Sequence, residues 1–294
     1  MPSRALFLVN PCARDGAEKS DRAAGLLRDL GLDLVVEPTD DPSRFPELIG
    51  RHLGTIDRVI VGGGDGTLNA AVQVLVQAKL LLGIIPLGTA NNLARTLGIP
   101  FDLEAACAVS AGGARRRIDL GWVNDRYFCT TASLGLSVQI TEELSPGAKR
   151  LWGPIAYVLT AFRVIRRAHP IHAVVEWESG TRHSRTVQIV VGNGRYYGAA
   201  LAVAEDAAID DARLDLYSLE VGHWWELLKL APSLKRGTHG TRREVQALRA
   251  TAFVVRTRRR VPIDLDGELG AETPARFRVV PRALEVLVPA KTEE

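Results

Sequence analysis

Cysteine and methionine are scarce in this 294-residue chain, with three cysteines and one methionine. Cys12, Cys107 and Cys129 are far apart and form no CxxC pair, which argues against a disulfide framework and against a zinc site. Long apolar runs are missing as well. The best candidate, Leu68 to Leu87, is interrupted by Asn69, Gln73, Gln77 and Lys79, short of the roughly 18 apolar residues a bilayer-spanning helix needs. The opening MPSRALFLVNP turns polar too early for a secretory signal. The expected compartment is the cytoplasm, with peripheral contact at the inner membrane face. A strong charge of one sign is absent too, the net charge being +3. The basic residues are nevertheless clustered, as in Arg115-Arg116-Arg117, Arg163 with Arg166-Arg167, and Arg256 with Arg258-Arg259-Arg260. Such runs suit an anionic membrane surface or nucleic acid, and equally an ordinary solvated face.

What is present is alternation. Residues 5–10, 32–37, 58–61 and 81–88 read as short apolar strands, and 18–30, 46–53, 68–78 and 90–98 as helices. That order implies a parallel sheet covered by helices. Near Arg115 the pattern changes. Residues 115–124, 126–140, 172–177, 185–193, 214–220, 253–259 and 283–288 are strand-like, with helices expected only at 151–167 and 223–233. The second half reads as a mainly antiparallel β domain.

One stretch lacks something more specific. Arg58 to Val72 reads RVIVGGGDGTLNAAV, an apolar run, four glycines among six residues and a helix start, with no lysine. It is therefore neither a Walker A loop, which needs GxxxxGK[ST], nor the usual GxGxxG fingerprint. Successive N–H groups and a helix N-terminus still make an anion site. Without a lysine, a triphosphate needs a metal, and Asp65 is placed to hold Mg²⁺ directly or through water. The plainer alternative is a structural strand-to-helix turn.

GGGDGTLN (62–69) followed by IPLGTANNLARTLGIP (85–100) resembles the diacylglycerol kinase catalytic-domain family, which includes bacterial lipid kinases and sphingosine kinases. NP (10–11), IDLGWVN (118–124), ASLGLSVQI (132–140), VGNGRYYGAA (191–200), AIDDARLDL (208–216) and LDGE (265–268) continue the resemblance along nearly the whole chain. GGGDGT alone also occurs in NAD kinases; the combination with GTANNLAR and LDGE is far more specific. The resemblance implies an α/β nucleotide-binding domain at 1–120, joined by a C-terminal return at about 282–294, and a β-sandwich lipid-substrate domain at 121–281.

By the same resemblance, ATP is the phosphate donor and is bound by Asn10, Thr39, Gly63, Gly64, Asp65, Gly66, Thr67, Asn69 and Thr89. Glu268 is the implied proton acceptor for the substrate hydroxyl, with Asp266 and Asp65 supporting it or the metal. Taken alone, LDGE reads as a β-turn, since Asp-Gly is a favoured hairpin pair. AIDDARLDL resembles a structural Mg²⁺ loop, with Asp211 as the carboxylate ligand and Ala208 and Arg213 at neighbouring ligand positions. The chain departs from the pattern at Ala212, where glycine is common, at Gly198-Ala199-Ala200, which replaces a glycine-rich run, and at Glu205, near a usual proline. If position 212 takes positive φ, alanine there is costly. Asp210 and Asp215 read equally as surface turn residues.

Residues 151–170 and GHWWELLKL (222–230) are candidates for lining an acyl-chain pocket or lying on lipid, and equally for ordinary packing. His169 and His172 have ligand-like spacing without acids nearby and read as surface residues. The implied partners are a diacylglycerol-like lipid and an anionic membrane surface rather than nucleic acid, with a homodimer left open. Two other readings compete: an NAD kinase-like enzyme of soluble substrate, and a catalytically silent lipid or nucleotide sensor, which the departures at Ala212 and Ala199-Ala200 motivate.

Overall fold

A computed structural model of the chain describes residues 4–9, 16–143, 170–194, 196–197, 201–202, 208–221 and 245–290. The chain divides into two units, one of residues 1–120, 209–211 and 280–294, the other of residues 121–208 and 212–279.

The first unit alternates strand and helix: β1 (Arg4–Val9), α1 (Gly16–Asp29), β2 (Asp33–Pro38), α2 (Phe45–His52), β3 (Arg58–Gly63), α3 (Asp65–Ala78), β4 (Leu81–Pro86), α4 (Asn92–Thr96) and α5 (Leu103–Gly112). The strands pair in parallel in the order β2-β1-β3-β4, and the C-terminal strand Ala275–Val288 joins β4 in parallel at Val286 and Leu82. β1 and β3 are buried along their lengths, as strands covered by helices must be. Phe7, Ile60 and Ile85 from the sheet pack with Ala23 and Leu27 of α1. Chain order reverses between β1 and β3, because β2 flanks β1 on one side and β3 on the other. In such sheets ligands bind outside the carboxyl ends of the strands at this reversal. Helix α5 went unread in the sequence, although Asp102 caps it by accepting the Ala105 N–H at 2.9 Å.

The second unit is β-rich. β5 (Ala114–Val123) contains the division at residue 120 and is followed by β6 (Arg126–Phe128), β7 (Thr131–Gly135), α6 (Leu136–Glu143), β8 (Ile171–Trp177), β9 (Gly180–Thr186), β10 (Gln188–Gly192), β11 (Tyr196–Tyr197) and β12 (Leu201–Ala202). Then come β13 (Leu214–Leu219), β14 (Val245–Ala250), β15 (Ala252–Thr257), β16 (Pro262–Leu265), β17 (Glu268–Glu272) and β18 (Ala275–Val288). One antiparallel sheet runs β14-β13-β10-β7-β16-β17. The residues of β18 within this unit pair with β15, which continues to β8 and β9. Leu134, Ile189 and Leu216 of the first sheet share a core with Phe253, Val255 and Phe277 of the second, the face-to-face arrangement of a β-sandwich. Replacing a fully buried ring such as Phe253 by alanine costs about 3–5 kcal/mol.

Two strand expectations need correction. Residues 126–140 do not form one strand: β6 ends at Phe128, β7 starts at Thr131 in the other sheet, and Gly135 at φ +107° ends β7. Leu136 to Ile140 then turn helical, with the Gln188 side chain accepting the Ser137 N–H at 2.9 Å. Residues 185–193 are split at Val187, since Thr186 closes β9 and β10 begins at Gln188. The helices expected at 151–167 and 223–233 lie outside the described residues. Among the described residues no helix is long and apolar enough to cross a membrane.

Candidate active site

The glycine loop follows β3 at the carboxyl edge of the parallel sheet and runs into the 14-residue helix α3. Its glycines answer first to packing. A Cβ on Gly88 would lie 2.4 Å from the Gly64 Cα and 2.7 Å from Asn91 Oδ1, and one on Gly63 would meet the Thr67 side chain at 2.6 Å. Gly64 and Gly88 therefore press two loops together at a distance no side chain permits.

Asp65 fastens the same two loops. Its carboxylate accepts the N–H of Asn92 at 3.0 Å and of Leu93 at 3.1 Å, the first residues of α4. Those N–H groups have no partner within the helix, and an anion there is favoured by the helix dipole. Asn91, at φ +48°, braces Gly88 from both sides, accepting its N–H at 3.0 Å and donating to its carbonyl at 2.7 Å. Asn92 is buried, and its Oδ1 has no hydrogen-bond partner among the described residues. Neither asparagine was singled out from the sequence, although both stand in the quoted GTANN.

Thr39, at the end of β2, is buried, with its N–H donating to the Val9 carbonyl at 3.0 Å and its hydroxyl bonded to Asp41. Thr89 is exposed and borders a cavity of about 370 Å³ whose wall includes Gly88, Asn91 and Arg95. The Arg95 guanidinium lies 4.5 Å from the centre of the Phe101 ring. Gly66, Thr67 and Asn69 are half-buried in the first turns of α3. Asn10 lies outside the described residues. Strand ends at the chain reversal followed by a helix N-terminus form the kind of edge at which phosphate groups bind.

LDGE is a hairpin turn between β16 and β17, with Asp266 at φ +52° and Gly267 at φ +102°. Both central residues have positive φ, the geometry that selects Asp-Gly. The turn nevertheless carries buried charge. The Asp266 carboxylate accepts the N–H groups of Cys129 at 2.6 Å, Thr130 at 2.8 Å and Thr131 at 3.0 Å, and the Thr130 hydroxyl at 2.6 Å. So loaded with donors, Asp266 holds the hairpin to the start of β7.

Glu268 projects from the other end of the turn and is exposed. Loss of hydration against neighbouring protein atoms raises its pKa, the Arg126 cation opposes this, and the Asp266 charge adds to the rise. Asp264, on β16 just before the turn, was missed in the sequence. It is buried and accepts the Gly267 N–H at 2.9 Å. Burial, followed by the charges of Asp266 and Glu268, lifts its carboxyl to about 6 despite that hydrogen bond.

In the segment resembling a metal loop, Ala212 sits at φ +56°, so the condition that makes alanine costly there is met. Asp210 is an exposed turn residue paired with Arg116 at 2.7 Å. Asp215 is not a surface turn residue: it is buried on β13 and paired with Arg249 at 2.7 Å. Among the described residues no three His, Cys, Asp or Glu side chains cluster as metal ligands. The Asp211 carboxylate and the carbonyls of Ala208 and Arg213 are hard oxygen donors, the kind Mg²⁺ takes. The thiol of Cys107 is buried and pushed up to about 11 by loss of hydration and then by Asp102 and Glu104, which leaves it inert. Among the described residues Cys107 and Cys129 form no disulfide.

Residues 4–123 match the diacylglycerol kinase catalytic domain, and residues 130–288 match the YegS C-terminal NAD kinase beta sandwich-like domain. The diacylglycerol kinase of Bacillus subtilis is 29% identical over 245 residues, 82% of this chain and 81% of that protein. That of Staphylococcus saprophyticus is 28% identical over 242 residues, 81% of this chain and 79% of that protein. A crystal structure of a diacylglycerol kinase from Bacillus anthracis superposes with a TM-score of 0.81 over 98% of this chain and 97% of that one, at 22% identity, which speaks to the fold. An α/β domain carrying GGGDGT and GTANN, followed by a β-sandwich carrying LDGE, places the chain in the diacylglycerol kinase family of lipid kinases.

Proposed function

We propose that this kinase transfers the γ-phosphoryl group of ATP to a hydroxyl of diacylglycerol or a closely related lipid. The observation that carries the donor half is the clamp at the carboxyl edge of the parallel sheet, where Asp65 ties the glycine loop to the first N–H groups of α4. Loop N–H groups and the N-terminus of α3 hold the phosphates. Asp65 acts by holding that edge in shape, a positioning role more than a proton-accepting one. Mg²⁺ comes with the triphosphate and supplies charge neutralisation, phosphate oxygens being among its preferred ligands.

Glu268 is the proposed base. It is exposed, free of the donors that saturate Asp266, and its raised pKa brings it closer to the working pH. Asp266 holds the hairpin that presents it, and Asp264 braces the turn through Gly267. Asp211 with the carbonyls of Ala208 and Arg213 is the proposed structural Mg²⁺ loop, weakened by the strain at Ala212. The chain works at a membrane from the cytoplasm, touching it peripherally.

The test is transfer of radiolabelled γ-phosphate to diacylglycerol in neutral detergent micelles. Glu268→Gln lowers kcat/KM by about a hundredfold to ten-thousandfold with unfolding unchanged. Full activity in that variant would overturn the assignment of the base. Phosphorylation of NAD and of no lipid would overturn the substrate class.

A further inference from the structure

One face of the β-sandwich carries charge that phosphoryl transfer does not explain. Strands β18, β15, β8 and β9 lie side by side. Their inward residues, among them Ala173, Val175, Phe253, Val255, Ala275 and Phe277, are buried in the sandwich core. Strict alternation sends the residues between them outward. Five of these are arginines: Arg185 on β9, Arg256 and Arg258 on and just beyond β15, and Arg276 and Arg278 on β18, all exposed. Glu176 is the one carboxylate among the outward residues of the described strands, and it is paired with Arg256 at 3.1 Å. Five arginines against one glutamate leave four net positive charges, before any contribution from the exposed His172 and His183. A shallow groove of about 540 Å³ runs between these two histidines and Arg185, Arg256 and Arg258.

We infer that this sheet face is a docking surface for a bilayer rich in anionic headgroups. The arginines lie on three of the four strands, β9, β15 and β18, spread about 15 Å across the sheet and about 20 Å along the strands. They do not converge on one point, as a site for a single phosphate would require. Among the described residues, Arg185, Arg258 and Arg276 have no ion-pair partner, so their charge is available to an external surface. A nucleic-acid strand is the other large anion such a face could meet. Single-strand binding depends on aromatic side chains on which bases stack. The four strands direct no aromatic ring outward, for Trp177 packs with the core and Phe253 and Phe277 are buried within it, and the ring of Trp122 on the adjoining β5 is covered by the Arg278 guanidinium at 4.5 Å. The inference rests on the lipid-kinase reading only in that a lipid substrate brings a bilayer to the protein.

The experiment is co-sedimentation of the full chain with vesicles of phosphatidylcholine mixed with phosphatidylglycerol, and with vesicles of phosphatidylcholine alone. The wild-type protein is expected to bind the anionic vesicles, to be released by salt, and to leave the neutral ones in solution. Arg185→Gln, Arg256→Gln and Arg258→Gln together are expected to weaken partitioning by about a hundredfold, at about fivefold per arginine near an anionic surface. Their activity toward diacylglycerol in neutral micelles stays at the wild-type level, which also shows that the variant is folded. The double variant Arg276→Gln, Arg278→Gln gives an independent arm of the same face. Unchanged vesicle binding in both variants overturns the inference, as does retention of a single-stranded oligonucleotide by a wild-type protein that ignores vesicles. A chain that binds anionic vesicles through these arginines but phosphorylates no lipid upholds the face and removes the kinase reading.

Discussion

Replacing Asp264 by asparagine is expected to stabilise the second unit at neutral and alkaline pH. Asp264 is 8% exposed, and its carboxyl is lifted from the usual 3.8 to about 6, first by burial and then by the charges of Asp266 and Glu268. The folded state therefore prefers the protonated form. The penalty of ionising it is absent below the unfolded pKa, grows as pH rises through the folded one, and is constant above that. A gap of roughly two units corresponds to about 3 kcal/mol at pH 8, and to about 1.5 kcal/mol at pH 5, where the folded carboxyl is still mostly protonated. Asparagine removes the charge and keeps an amide oxygen to accept the Gly267 N–H, which Asp264 holds at 2.9 Å. The assay is denaturant unfolding followed by tryptophan fluorescence. All five tryptophans, at 122, 152, 177, 224 and 225, fall in the sequence range of the second unit, so the signal reports that unit. A variant no more stable than the parent at pH 8, or a gain that does not shrink toward pH 5, would refute the reasoning.

Two further substitutions probe the donor edge and the strained loop. Gly88→Ala places a Cβ 2.4 Å from the Gly64 Cα, a backbone contact that cannot give way cheaply. It is expected to cost about 1–3 kcal/mol and to weaken ATP binding at least tenfold in calorimetry; wild-type affinity would show that the clamp is not needed. Ala212→Gly relieves a left-handed φ of +56° and is expected to stabilise by about 0.5–1 kcal/mol in thermal unfolding, whereas a loss of stability would mean that the alanine methyl is holding something in place.

The class of each half was legible because it depends on local periodicity. Apolar runs of four to six residues alternating with helical spacing imply a covered parallel sheet, and β1 to β4 are that sheet. Longer alternating strands with few helices imply a sandwich. Errors fell where one residue decided the backbone. Gly135 at φ +107° turned Leu136 to Ile140 into a helix, although their alternation looked like strand. The motifs themselves, GGGDGT, GTANN and LDGE, were visible as residue types in order.

What the sequence by itself determined, then, was which residue types stand in which order: glycines between an apolar run and a helix start, an Asp-Gly pair followed by a second acid, and clusters of arginine. Tertiary structure alone decided what each one touches. Asp65 reads as a metal ligand in one dimension; in three its carboxylate caps α4, 27 residues away at Asn92, and binds two loops into one edge. Asp266 and Glu268 are neighbours in the same turn, yet one accepts four hydrogen bonds and the other stands exposed. Asp264 went unnoticed because burial, not identity, raises its pKa. Hydrogen-bond partners, burial and neighbouring charge come from residues distant in the chain, and these set whether a carboxylate is a strut, a buried acid or an exposed one.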